Sequence, residues 1–159
     1  MKQTQDLEIP IGSITEGSPA TSTTFSYFKT IYSMKLEKNF SLHEFKCKDG
    51  TEVPDHLIDN VRLLAKNLQA LRDHIEKPII IISGYRTLEY NTKIDGAKRS
   101  LHLTARAGDI IVPGLSPLEV KNTILQLIKE DKMKEGGIGI YSTFVHYDVR
   151  GWKARWDRR

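Results

Sequence analysis

Six apolar residues, Leu57, Val61, Leu64, Leu68, Leu71 and Ile75, recur at alternating steps of four and three. That spacing lines them along one side of an α-helix, since a strand would repeat every two residues. Pro54 suits the first turn of this helix, where its missing N–H is not needed. Pro78 then leads into Ile79-Ile80-Ile81-Ile82, a β-branched run that predicts a buried strand ending at Ser83-Gly84. A second helix is predicted from Ser116-Pro117-Leu118-Glu119, where Ser at the cap, Pro next and Glu three residues on form a capping box. Val120, Ile124 and Leu127 make its inner face, and Gly136-Gly137 closes the segment. Two further strands are expected, Ile138 to Tyr141 and Phe144 to Val149, joined by a tight turn at Ser142-Thr143. Helices and strands mix without a regular βαβ repeat, so the expected class is α+β.

A chain of 159 residues with 39% hydrophobic and 28% charged residues is the size and composition of one domain with its own core. Residues 39–159 are expected to form it. Residues 1–38, rich in Ser, Thr and Gly, read as an irregular polar arm or linker, a segment that could join a protein assembly. No apolar run approaches the roughly 20 residues that span a bilayer, so no membrane partner is expected. The stretch after Met1 is polar, and no export signal is expected there. The net charge of +4 is modest, and Lys153, Arg155, Arg158 and Arg159 read as a solvated C-terminus. No clustered basic face with interleaved aromatics argues for nucleic acid. Cys47 is the sole cysteine, which excludes an internal disulfide and a Cys-rich zinc site. Any metal must therefore use His and carboxylates.

Of five histidines, His56 and His74 lie off the apolar stripe and read as surface residues, and His43 reads as a local structural contact. His102 lies on the approach to a strand that holds Asp109. His146 and Asp148 alternate along a later strand and share a face. Two imidazoles and a carboxylate are a ligand set for catalytic zinc with a fourth position left for water. On spacing alone these residues read more readily as strand residues satisfied within the fold.

The order Ser83-Gly84-Tyr85-Arg86-Thr87, Tyr90-Asn91, Ser100-x-His102, Ala107-x-Asp109, Gly136-Gly137-Ile138-Gly139 and Phe144-Val145-His146-x-Asp148 resembles the M15 family of zinc D-Ala-D-Ala carboxypeptidases and related peptidoglycan endopeptidases. The opening Phe40-Ser41-Leu42-His43-Glu44-Phe45-x-Cys47 resembles the start of that domain, and the likeness runs over about residues 39 to 156. The resemblance implies a small antiparallel sheet with flanking helices, of the hedgehog or DD-peptidase kind. It implies Zn2+ held by His102, Asp109 and His146, which would activate water and polarise a scissile carbonyl. Arg86 matches an arginine placed over the substrate carbonyl, where it would stabilise an oxyanion. Tyr85 and Ser100 are expected to touch substrate or flank the ligand loop.

Two departures stand out. Ala105 replaces the family's usual Gly between the first two ligands, and Thr143 stands where well-known members carry the acidic general base. Asp148 is the candidate for that role, or else orients His146. The resemblance therefore implies hydrolysis of an amide bond in a peptidoglycan peptide, as carboxypeptidase or endopeptidase. The alternative is a weak or inactive zinc-binding module, as in the similar hedgehog domain, serving a phage or injection-type assembly. The expected absence of an export signal suits a phage lysin, a tail component, or a domain whose signal has been removed.

Overall fold

The computed structural model describes residues 34–159, with Thr23, Thr24, Ser26 and Thr30 as helical positions before them. The polar arm and its expected role in an assembly lie largely outside the described residues. A short hairpin, β1 (Lys35–Glu37) with β2 (Phe40–Ser41), precedes a 3-10 turn at Leu42–Phe45. This hairpin thus starts at Lys35, before residue 39. Then follow α1 (Ile58–Ile75), β3 (Ile80–Ser83), α2 (Leu88–Lys93), a 3-10 turn (Leu101–Thr104), β4 (Ala107–Ile111), α3 (Pro117–Lys129), β5 (Gly137–Tyr141), β6 (Val145–Asp148) and β7 (Ala154–Arg158). Five strands form one sheet in the order β3-β4-β6-β5-β7. All its pairings are antiparallel except β5 with β7, which is parallel. The class is α+β.

The apolar stripe folds as its spacing dictates. Pro54 accepts the N–H of Leu57 at 2.8 Å and opens a 3-10 turn that runs into α1. Val61, Leu64, Leu68 and Leu71 are buried on one side of α1, while His56 and His74 are exposed. Glu76 ends the helix in the left-handed region at φ 52°, returning its N–H to the carbonyl of Arg72. In α3 the capping box is formed: Ser116 N–H donates to Glu119 at 2.7 Å, and Glu119 N–H returns a bond to Ser116 Oγ. Val120, Ile124 and Leu127 face inward. Both helices contribute to one hydrophobic core with Ile110, Ile138, Val145 and Tyr147 of the sheet. Gly108 lies beneath α1, where a Cβ would stand 3.6 Å from Leu64 and 3.8 Å from Leu68.

Two expectations need correction. The isoleucine run does not form a buried strand: β3 is an edge strand, and Ile80 is 49% exposed although Ile79 is buried. Hydrophobicity alone cannot tell an edge strand from a central one, because that depends on how many partners the strand finds. The basic tail is likewise not a solvated end. Residues 154–158 pair alongside β5, and Arg155 donates to Glu135 Oε1 at 2.6 Å and to the carbonyl of Gly136 at 2.5 Å. Lys153, Arg158 and Arg159 do remain exposed.

Burial sets the scale of what each element contributes. Leu68→Ala, at the centre of the α1 stripe, is expected to cost about 2–5 kcal/mol in denaturant unfolding. Ser116→Ala should cost only about 1 kcal/mol. Equal effects for the two would contradict the packing described.

Candidate metal centre

One register row crosses the whole sheet. Ser83 pairs with Asp109, Asp109 with His146, His146 with Gly139, and Gly139 with Trp156. Side chains of directly paired residues point to the same face of a sheet. Strand alternation gives Gly108, Ile110, Val145 and Tyr147 to the helical side, so Asp109 and His146 emerge together on the other.

His102 arrives from above this row. Ser100 caps its 3-10 turn, accepting the N–H of His102 at 3.3 Å, and Arg86 N–H donates to the carbonyl of His102 at 3.0 Å. The turn closes at Ala105, held at φ 54° in the left-handed region. A Cβ there costs roughly 1–2 kcal/mol, which explains why glycine suits this position. Ser100 thus serves as a helix cap. Tyr85 is half-buried against the core, its N–H donating to the carbonyl of Phe45 at 2.7 Å. Burial pushes its phenol upward, and the nearby Asp49 carboxylate adds to this.

The three side chains converge. His102 Nε2 lies 3.2 Å from Asp109 Oδ1 and 3.3 Å from His146 Nδ1, and His146 Nδ1 lies 2.9 Å from Asp109 Oδ1. Three ligands at bonds of about 2.0–2.1 Å in a tetrahedral site would be spaced by about 3.3 Å. All three residues are buried, at 2%, 5% and 8% exposure for His102, Asp109 and His146. His43, by contrast, stands apart beside Glu52 at 3.8 Å.

Hydrogen bonding on the outer side of each ring decides what faces inward. His102 Nδ1 lies 2.6 Å from the carbonyl of Gly84, which can only accept, so Nδ1 carries the proton and Nε2 offers a lone pair. His146 Nε2 lies 3.0 Å from Asp148 Oδ2, so it too donates outward and its Nδ1 faces the centre. Asp109 adds a carboxylate oxygen. Three electron pairs at this range are stable only around positive charge, which a proton on His146 or a bound cation supplies. The donor set and its spacing fit a borderline divalent ion such as zinc.

The ionisation tendencies agree with that account. Burial drives His102 toward the neutral form and Asp109 does not reverse it. Burial also opposes charge on His146, but hydrogen bonds to Asp109 and Asp148 outweigh it and raise its pKa above the usual imidazole value. Asp109 is pushed up by burial, yet the hydrogen bond and charge of His146 hold it well below the usual carboxylate range.

Around this centre stand the remaining side chains. Arg86 donates through Nη2 to Asp109 Oδ2 at 2.6 Å and through Nε to Ser83 Oγ at 2.9 Å, so it neutralises the outer oxygen of Asp109. Asp148 is wholly buried behind His146. Its Oδ1 accepts from Gly137 N–H at 2.9 Å and Arg150 Nε at 2.8 Å, and its Oδ2 from His146 and from Arg150 Nη2 at 2.7 Å. Such saturation belongs to a carboxylate that orients an imidazole; a proton acceptor needs a free lone pair toward substrate. Thr143 lies exposed in the turn between β5 and β6.

Sequence reasoning gives no role to three contributors. Trp156 lies beside His146, with ring centroids 5.0 Å apart, and its Nε1–H donates to Tyr141 Oη at 3.1 Å. Gly139 makes room for it, since a Cβ there would collide with the indole ring. Arg150 is the third, and the alternation His146-x-Asp148-x-Arg150 is the one signal that could expose it.

The sequence profile described as Peptidase M15 matches residues 38–148. The peptidoglycan L,D-endopeptidase MepK of Escherichia coli strain K12 is 33% identical over 80 residues, covering 46% of this chain and 41% of that protein. A protein of the same name from Shigella flexneri gives the same figures. The aligned part thus spans about two fifths of the length of these curated relatives. With 111 of its 159 residues inside the matched span, the chain belongs to the peptidase M15 family.

Proposed function

We propose that this chain is a zinc-dependent peptidase acting on the peptide part of bacterial peptidoglycan. The observation that carries the reading is the set of three inward electron pairs on His102, Asp109 and His146, each fixed by a bond on its outer side. Membership of the M15 family and likeness to a peptidoglycan endopeptidase supply the substrate class.

Zinc held there would supply an activated water near neutral pH and a polarised carbonyl. The protein's own groups do the rest. Gly84 and Asp148 fix the tautomers of the two histidines. Arg86 balances Asp109 through its 2.6 Å bond and so stands beside the centre, which suits it to the oxyanion role. Ser100 holds the turn that carries His102, and Tyr85 borders the Arg86 segment as a wall for substrate. Asp148 acts as an orienting group. Endopeptidase action is favoured over carboxypeptidase action by the relative's activity alone.

A second reading is favoured by Thr143, exposed where an acid is expected, together with the full occupation of Asp148. On that reading the site keeps its metal and binds wall peptide without turnover.

Metal analysis coupled to mass spectrometry of digested muropeptides separates the two. His146→Ala is expected to lose both zinc and cleavage. Asp148→Asn should still bind zinc when it is in excess, with affinity weakened about 10–100-fold. Intact muropeptides after incubation with zinc-loaded protein would favour the binding module, whereas digestion by metal-free protein would end the zinc proposal.

Acid should also weaken zinc binding. His146 holds its proton above the usual imidazole range in the metal-free protein, and zinc must displace that proton. Affinity should fall about tenfold per pH unit once the pH drops below that raised pKa, with one proton released per ion bound. A chelator-competition titration that stays flat from pH 8 to about 5.5 would contradict this.

A further inference from the structure

Arg150 lies just past β6 and outside the span matched by the family profile. Its guanidinium grips both oxygens of Asp148, Nε to Oδ1 at 2.8 Å and Nη2 to Oδ2 at 2.7 Å. It also lies over two indoles, its Cζ 5.7 Å from the Trp156 ring centroid and 5.9 Å from that of Trp152. Trp156 is the same ring that flanks His146. Gly137 leaves the space this fork occupies: a Cβ there would collide with Asp148 and stand 3.0 Å from Arg150 Nε.

We propose that Arg150 is a positioning residue for the metal centre, clamping Asp148 so that His146 keeps Nε2–H outward and Nδ1 toward His102 and Asp109. The proposal rests on the reading of those three residues as metal ligands. The geometry favours positioning over simple charge neutralisation. Neutralising Asp148 needs only a cation nearby, whereas a planar two-point grip fixes the rotation of the carboxylate and hence the direction in which Oδ2 accepts. Asp148 is fully buried beneath that grip, so in the folded protein the fork and not water meets its oxygens. With the fork removed, Oδ2 is free to turn and the imidazole loses its fixed partner.

The test compares the full chain with Arg150→Ala and Arg150→Lys, reading zinc affinity by competition with a chromophoric chelator. The tautomer of His146 is read in each metal-free protein by nitrogen-15 NMR at a pH above the raised pKa of that imidazole, where the ring is neutral. Arg150→Ala is expected to bind zinc about 10–100-fold more weakly and to lose the single Nε2–H signature. Arg150→Lys restores the charge without the fork, so it should regain metal-free thermal stability yet stay at least about fivefold weaker for zinc. Should Arg150→Ala fail to fold, Arg150→Lys alone decides. Zinc affinity within about twofold of wild type in every folded variant, with the tautomer unchanged, would overturn the role of Arg150 while leaving the metal centre standing. Wild-type protein that takes up no zinc would overturn both.

Discussion

Asp109 and His146 are cross-strand neighbours, and almost everything about the site depends on that register. Side chains alternate faces along a strand, so a slip of one residue between β4 and β6 would send one of the pair into the helical core. The apolar pair next to them, Ile110 and Val145, makes that slip costly because these residues too would change face. The hydrophobic contact with α1 and α3 thereby fixes the position of the polar centre on the opposite side of the sheet. Only His102 comes from outside the sheet, and its turn is tied down by Ser100, Ala105 and the backbone of Arg86.

The charges around the centre are arranged in shells that nearly cancel. Two carboxylates, Asp109 and Asp148, are each matched by one guanidinium, Arg86 and Arg150. Such pairing is what allows acidic groups to stay ionised at almost no exposure, since an unpaired buried charge would be neutralised by proton exchange. The middle of the site is left with electron pairs and little net charge of its own, a setting in which a divalent ion would dominate the local field.

Legibility in the sequence follows the range of the interaction involved. The stripe of α1 and the capping box of α3 are local patterns, and both appear in the structure as their spacing dictates. The meeting of His102, Asp109 and His146 is not local, and spacing alone leaves it undecided; the ordered series of motifs is what singles those residues out. Strand β7 escapes notice because Lys153, Arg155, Asp157, Arg158 and Arg159 give its segment the composition of a solvated end. The edge position of β3, the indole beside His146 and the clamp on Asp148 depend on which strands become neighbours, and no single window of sequence encodes that.

Gly139 and Trp156 occupy one volume between them, the first by having no side chain and the second by filling the gap. The two positions therefore act as a single packing unit. Any larger residue at 139 demands a smaller one at 156, and a drift at either alone would open the flank of His146 to solvent and raise the local dielectric felt by every charge in the row.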